Sequence, residues 1–178
     1  MCGKYAWACE SRGSKAGLSD AAALALARQV TAKVNRSVRQ RSDASVYGVK
    51  ERWTLPTGGA GDCEDLALLK KKELMRLGIG GNRLKMAQVF TRRLEPHAVL
   101  VLRTGKGDYV IDNLNSSVKH WSSTGYTFVK MQGGGGKWDL VLLGPHAKRT
   151  GAKSRGATSS YKTKKTVFRS NLQQSQLR

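Results

Sequence analysis

The segment Gly61-Asp62-Cys63-Glu64-Asp65 joins a glycine-rich stretch to a lysine-rich amphipathic stretch, and it fixes where a loop must end and a helix must begin. Pro56 and the three glycines between it and Asp62 favour an open loop. Beyond Cys63 apolar residues return at helical spacing and a glycine follows the last of them: Leu66, Leu69, Leu74, Leu77 and Gly78. We therefore expect a central, half-buried helix that begins at Cys63 and directs Lys70, Lys71 and Lys72 outward.

A cysteine at a helix N-terminus is a candidate nucleophile. The partial positive charge of the first helical turn favours thiolate over thiol, and its unpaired N–H groups can hold an oxyanion. Of the three cysteines in the chain, only Cys63 has this placement. The rest of the chain should then supply a base and a group that orients it.

Length and charge predict three regions. A chain of 178 residues suits one domain with its own core, and no apolar run approaches the roughly 18 to 20 residues of a membrane span. From residue 145 onward there are nine Lys or Arg and no Asp or Glu, with few apolar side chains. We expect an N-terminal segment over 1–18, a single domain over 19–144 and a disordered basic tail over 145–178. The tail would bind nucleic acid or other anionic partners without specificity, or merely aid solubility.

The N-terminus leaves the compartment open. It lacks the apolar stretch of a secretory leader, so the sequence taken literally indicates a cytoplasmic protein. Cys2 and Cys9 beside an isolated Cys63 are nevertheless typical of one disulfide plus one free thiol in an oxidising compartment. A trimmed or mis-started leader would reconcile this pattern with a periplasmic location. The alternative is two unpaired surface thiols in a reducing cytosol.

Helical and extended patterns separate along the chain. Ser19-Asp20 can cap a helix with a buried stripe formed by Ala23, Ala27, Val30 and Val34. After Gly80-Gly81 the pattern becomes alternating and β-rich, over 84–91, 97–103, 108–114, 126–130 and 138–143. The fold class is therefore α+β, with an antiparallel sheet in the second half.

A tight turn over 104–107 sets the register of two of these strands. If Arg103 pairs with Asp108, then His97 lies diagonal to Asp112 on the same face, with Cα atoms about 7 to 8 Å apart. Cys63, His97 and Asp112 would then form a thiol triad, in which His97 stabilises the thiolate and protonates the leaving amine while Asp112 orients the ring. The plainer alternative makes them a small buried residue, a strand residue and a turn-end cap.

The motifs Gly61-Asp62-Cys63-Glu64-Asp65, His97-Ala98-Val99 and Asp112-Asn113-Leu114 together resemble the bacterial transglutaminase-like cysteine peptidases over about residues 19–143. These include the LapG-type periplasmic enzymes that cleave biofilm adhesins. The resemblance implies a papain-like fold, with a helical lobe carrying the active-site helix packed on an antiparallel sheet. It also implies endopeptidase activity on a protein such as a surface adhesin, an inner-membrane regulatory partner, and a triad of Cys63, His97 and Asp112.

The resemblance further implies calcium dependence, which maps onto Asp62, Glu64 and Asp65. Carboxylates around a thiol oppose its ionisation, and a bound Ca²⁺ would cancel that repulsion. Alternatively, Asp62 caps the helix while Glu64 and Asp65 only favour its dipole.

Two other functions stay open. Transglutaminase and amidase reactions pass through the same acyl-thioenzyme as peptidase reactions, so the triad does not choose among them. The high positive charge also suits a non-catalytic basic module that binds nucleic acid or an anionic polymer.

Overall fold

Two helices packed on a six-stranded antiparallel sheet form the fold in the computed structural model, which describes residues 1–14, 18–43, 45, 48, 52–56 and 58–147. Most of the predicted basic tail, from residue 148 onward, lies outside these residues. Within them, no helix combines the length and hydropathy needed to cross a bilayer. The helices and the antiparallel sheet confirm the predicted α+β class.

Helix α1 spans Asp20–Ser37. The Ser19 hydroxyl accepts a 3.1 Å hydrogen bond from the Ala22 backbone N–H, as the capping pattern predicts. The four residues of the predicted stripe are all buried. Helix α1 thus packs with the small-residue face that the sequence indicates.

Helix α2 spans Cys63–Arg76 and begins at the predicted residue. Gly78 follows its end with a φ of 97°, a conformation that favours glycine. The expected outward direction of Lys70 and Lys71 is wrong, because each is only 1% exposed, while Lys72 is exposed. Each ammonium group donates a hydrogen bond to a backbone carbonyl from a distant part of the chain. A lysine-rich helix pattern does not reveal such acceptors.

The strands of the sheet are β3 (Leu84–Phe90), β4 (Pro96–Thr104), β5 (Gly107–Ile111), β6 (Lys119–His120), β7 (Thr127–Gln132) and β8 (Trp138–Leu143). They lie in the order β6-β5-β4-β3-β7-β8. Arg103 pairs with Asp108 in the β4–β5 hairpin, so the predicted register is confirmed. A separate parallel pair joins β1 (Arg39–Gln40) to β2 (Ala60–Gly61).

The core lies on both faces of the sheet. On one face α1 and α2 pack against strand residues that include Met86, Leu100 and Ile111. The other face is covered by a second cluster that includes Val99, Val101, Val110, Phe128 and Met131. The central strands β3 and β4 are therefore buried on both sides, which holds their ends in fixed positions.

A disulfide between Cys2 and Cys9 closes the N-terminal segment, and Cys63 is a free thiol. Of the two alternatives that the sequence leaves open for Cys2 and Cys9, the structure has the disulfide. A short 3-10 helix, Ala6–Cys9, brings the Ala8 carbonyl within 2.7 Å of Lys71 Nζ. The N-terminal segment is thus tied to the helix that carries the candidate nucleophile.

Candidate active site

Cys63 is the first residue of α2, at the end of the loop that β2 anchors. β2 pairs with β1, where Arg39 lies opposite Ala60 and Gln40 opposite Gly61. A Cβ atom at Gly61 would lie 2.9 Å from the Asp65 Cβ, closer than such atoms approach. The absence of a side chain at Gly61 therefore allows the chain to turn tightly into the helix.

The Cys63 thiol is half-buried among groups that keep it protonated. Its sulfur donates a 3.2 Å hydrogen bond to Glu64 Oε2. Burial raises the pKa of Cys63 to about 12, and the negative charges of Glu64 and Asp62 add to the rise, against the opposing hydrogen bond with the Ala98 backbone. The expected helix-end effect on the thiol is therefore outweighed here by burial and the neighbouring carboxylates.

His97 and Asp112 form a buried pair. The Nε2 atom of His97 lies 2.8 Å from Oδ1 of Asp112, and each side chain is 5% exposed. His97 is the second residue of β4, and Asp112 directly follows β5. The β4–β5 register thus brings together the two groups that the sequence places on diagonal positions. Ala98, whose backbone hydrogen-bonds the Cys63 sulfur, is the next residue after His97.

The Asp112 carboxylate accepts further hydrogen bonds. Tyr126 donates its hydroxyl to Oδ2 at 2.6 Å, and the backbone N–H groups of Asn113 and Leu114 donate to Oδ1 at 2.7 and 3.2 Å. Burial alone would raise the pKa of Asp112, but the bond and charge of His97 and the bonds from Tyr126 and Leu114 lower it below its usual value. The carboxylate is therefore held ionised beside the imidazole.

Tyr126 contacts both His97 and Asp112, and the sequence did not identify it as part of the candidate site. Its ring meets the His97 ring edge-on with centroids 6.0 Å apart, while its hydroxyl reaches Asp112. No motif surrounds it, and its role depends on β7 lying beside β3 in the sheet. Only the crossover that follows β6 brings it there, so local sequence carries no signal for it.

Acidic side chains gather next to Cys63. Carboxylate oxygens of Asp43, Asp62 and Glu64 lie within 4.8 Å of one another. The grouping includes two of the three predicted metal ligands and adds Asp43, which the sequence did not predict. The remaining predicted ligand, Asp65, is not in that group; its Oδ1 accepts a 2.8 Å hydrogen bond from the Thr54 backbone N–H.

The electrostatics of these acids fit a cation. Burial raises the pKa of Glu64 well above its usual range and that of Asp65 to about 7, and the charge of Asp62 raises both further. Asp62 occupies the N-cap position of α2 without making a side-chain capping bond. Within the described part of the chain, its buried Oδ1 has no hydrogen-bond partner. An oxygen such as Asp62 Oδ1 suits Ca²⁺, which prefers carboxylate ligands.

Comparison with known proteins agrees with this architecture. The family model of the bacterial transglutaminase-like cysteine proteinase BTLCP matches residues 1–143. The fold is similar to Legionella pneumophila LapG, with a TM-score of 0.59 and 19% identity over 75% of this chain and 76% of that one. No curated protein sequence gives a significant match.

Two further LapG structures differ in their calcium state. Calcium-bound L. pneumophila LapG matches with a TM-score of 0.58 and 19% identity over 68% of this chain and 70% of that one. EGTA-treated L. pneumophila LapG matches with a TM-score of 0.52 and 20% identity over 60% of this chain and 61% of that one. At these identities the likeness shows a shared fold, and the family match adds the chemistry. The chain therefore belongs to the bacterial transglutaminase-like cysteine proteinase family and is a cysteine peptidase.

Proposed function

We propose that Cys63, His97 and Asp112 are the catalytic triad of a calcium-dependent endopeptidase. The observation that carries the proposal is the buried His97–Asp112 pair, in which Nε2 lies 2.8 Å from Oδ1. Ala98, the residue after His97 on β4, hydrogen-bonds the Cys63 sulfur through its backbone. Because Nε2 of His97 is occupied by Asp112, Nδ1 is the ring nitrogen that serves the thiol. The imidazole then has a defined tautomer and a defined orientation.

The triad would act in two chemical steps. Cys63 gives its proton to His97 and attacks the scissile carbonyl carbon, and backbone N–H groups at the start of α2 receive the developing oxyanion. His97 then donates the proton to the leaving amine, which leaves an acyl-thioenzyme. In the second step His97 takes a proton from water, whose oxygen displaces the Cys63 sulfur from the acyl carbon and releases the acid.

Asp43, Asp62 and Glu64 are the residues that would hold calcium, since their oxygens lie within 4.8 Å of one another. Bound there, Ca²⁺ would supply positive charge that offsets the carboxylates and favours the Cys63 thiolate. The ion would thus oppose the rise of the Cys63 pKa to about 12 that burial and the acidic neighbours cause. The proposal is also supported by similarity to LapG, which has a calcium-bound and an EGTA-treated structure.

The proposal also includes a substrate and a cellular location, and both rest on the family resemblance. A peptidase implies a protein substrate, and we propose a surface adhesin cleaved in the periplasm, under the control of an inner-membrane partner. The Cys2–Cys9 disulfide is compatible with an oxidising compartment. Transglutaminase and amidase activity stay alternatives on the same triad. Mass spectrometry separates peptidase from transglutaminase activity. Hydrolysis of a peptide bond yields two fragments, whereas amine transfer to a glutamine leaves the peptide chain intact.

Alkylation of Cys63 by iodoacetamide from pH 4 to 9 tests the triad and the metal together. We expect a fast rate that persists to low pH with calcium, falls on addition of EGTA, and is lost in His97→Ala. Peptide mapping confirms that Cys63 carries the label. A rate that rises only near the ordinary thiol pKa of about 8.5, with no response to EGTA or to His97→Ala, would refute the proposal.

A further inference from the structure

Three consecutive lysines on α2 occupy three different environments. Lys70 Nζ donates a 2.9 Å hydrogen bond to the backbone carbonyl of Asp112. Lys71 Nζ donates 2.7 Å bonds to the Ala8 carbonyl and to Gln132 Oε1. Lys72 is exposed. The first of these lysines therefore reaches the candidate triad, while its equally buried neighbour reaches the N-terminal segment and β7.

The Asp112 backbone receives donors from both helices. Besides Lys70 from α2, the Asn35 side chain from α1 donates to the same carbonyl at 3.1 Å. Asn35 also lies 3.3 Å from the Ser116 hydroxyl in the segment that follows β5. The carboxylate of Asp112 contacts His97 and Tyr126, so the main chain and the side chain of this residue are held from opposite parts of the fold.

Lys70 and Cys63 lie on one rigid element. They are separated by seven residues, close to two turns of helix, so both lie on the same side of α2. The Lys70–Asp112 bond consequently spans the two halves of the site. It links the helix that carries the nucleophile to the segment that carries the orienting carboxylate.

Burying the Lys70 ammonium group costs more free energy than burying an apolar side chain that only fills space. Lys70 is 1% exposed, and burial lowers its pKa to about 8 although the Asp112 charge opposes the change. A methionine or leucine would fill the same space without removing an ammonium group from water. The ammonium is the feature that reaches Asp112, which indicates that its hydrogen bond matters at this position.

We propose that Lys70 is a positioning residue, which fixes Cys63 and α2 relative to Asp112 and His97; the proposal rests on the catalytic triad above. Lys70 does not touch substrate. Its loss would let α2 and the segment after β5 shift relative to each other, and the geometry between sulfur and imidazole would loosen. A displacement of about 1 Å in such a site can lower turnover by about 100-fold.

The test uses the full chain with calcium and p-nitrophenyl acetate as the acylating probe. Lys70→Met removes the donor and keeps the side chain's length, and Lys70→Arg retains a donor. Lys71→Met is the matched control for a buried lysine, and Lys72→Met is the exposed control. The readouts are kcat and KM, the thermal midpoint, and the NMR resonance of the His97 Nε2 proton, assigned by its loss in His97→Ala.

We expect Lys70→Met to lower kcat by about 10- to 100-fold with KM nearly unchanged, and to shift or broaden the His97 resonance. Lys70→Arg should recover part of kcat. Lys71→Met should lose thermal stability but keep kcat and the resonance at temperatures where it is folded, and Lys72→Met should match the wild type.

Two results would overturn the inference. One is a folded Lys70→Met with kcat within twofold of wild type and an unchanged His97 resonance. The other is an equal loss of kcat in Lys71→Met, which would show that any loosening of α2 suffices. Failure of the triad itself gives a different outcome, because Cys63→Ser and His97→Ala would then turn over the ester at the wild-type rate.

Discussion

The phenolic oxygen of Tyr126 lies 2.6 Å from Oδ2 of Asp112, the carboxylate oxygen that His97 does not use. The acid of the proposed triad is therefore held at both oxygens. Since the Tyr126 ring also packs edge-on to His97, one residue restrains both partners of the imidazole–carboxylate pair.

Asp112→Asn should lower turnover far more than Tyr126→Phe. The first change removes the charge that stabilises the imidazolium and permits the wrong tautomer, which cost about 10⁴-fold in a related triad. The second keeps the carboxylate and its bond to His97, and we expect a loss of about tenfold. Steady-state hydrolysis of p-nitrophenyl acetate measures both, with near-equal losses contradicting a central role for the carboxylate.

Calcium affinity should distinguish Asp65, a ligand predicted from the sequence, from Asp43, whose carboxylate lies with those of Asp62 and Glu64. Asp43→Asn removes a charge from the oxygens that lie within 4.8 Å of one another, so we expect the Kd for Ca²⁺ to rise by about tenfold or more. Asp65→Asn should have a smaller effect, because Asp65 is not in that group and asparagine can still accept from Thr54. Isothermal titration calorimetry gives the Kd.

The control for that comparison is Asp139→Asn, which removes the same charge from an exposed position. Its Kd should stay at the wild-type value. Wild-type protein should also gain about 2.7 kcal/mol of stability at a calcium concentration 100 times the Kd. A larger effect from Asp65→Asn than from Asp43→Asn would place the ion elsewhere.

Lys71 should make stability rise with pH. Burial, aided by the charge of Lys85, lowers the folded-state pKa of Lys71 to about 7, while the unfolded chain keeps a value of about 10.4. Between these values the unfolded state binds more protons, so the contribution of Lys71 is complete above the unfolded pKa and is lost as pH falls toward 7.

Urea unfolding of wild type and Lys71→Met measures this effect. The stability difference in favour of wild type should increase from pH 7 to pH 10, by at most about 1.4 kcal/mol per pH unit. Lys72→Met should show no such trend, because Lys72 is exposed. A flat difference for Lys71→Met would mean that its ammonium stays charged in the folded state.

Loss of the Cys2–Cys9 disulfide should destabilise the protein and disturb the approach to the site. The bond joins cysteines seven positions apart, and closing so short a loop is worth about 2–3 kcal/mol in the chain-entropy model. For a chain of this size the thermal midpoint of Cys2→Ser/Cys9→Ser should fall by about 5–10 °C. Differential scanning calorimetry measures the midpoint, with reduced wild type as the comparison.

Activity should fall together with the thermal midpoint. The segment that the disulfide closes contacts Thr54, which precedes the loop that leads to Cys63. Lys4 Nζ lies 2.8 Å from the Thr54 hydroxyl, and the Thr54 backbone donates to Asp65 on α2. If the double variant lost stability and kept full activity at low temperature, the segment would be a stabilising element alone.

The α2 boundary and the β4–β5 register were predictable because both depend on local signals. The glycines before Cys63 and the turn over 104–107 act within a few residues, so the start of α2 and the pairing of Arg103 with Asp108 followed from sequence. The proximity of His97 and Asp112 then required only the period of two along each strand.

Contacts between distant segments were not predictable. The sequence predicts that Lys70 and Lys71 face solvent. Their acceptors, the carbonyls of Asp112 and Ala8, belong to other parts of the chain and give no local signal. Asp43 joins Asp62 and Glu64 only in three dimensions, since 19 positions separate it from Asp62 and no ligand spacing connects them. Every residue type has a backbone carbonyl, so the identity of a residue does not show whether its carbonyl accepts such a bond.

The two internal lysine contacts of α2 also limit how the enzyme can move. One attaches the helix to the segment after β5, and the other attaches it to the N-terminal segment and β7. Displacing α2 would break both attachments at once and leave buried acceptors without their donors, so its amide hydrogens should exchange with solvent only in openings close to complete unfolding. Adaptation to a bound polypeptide must then come from surface loops, while Cys63, the proposed nucleophile, stays on a stationary support.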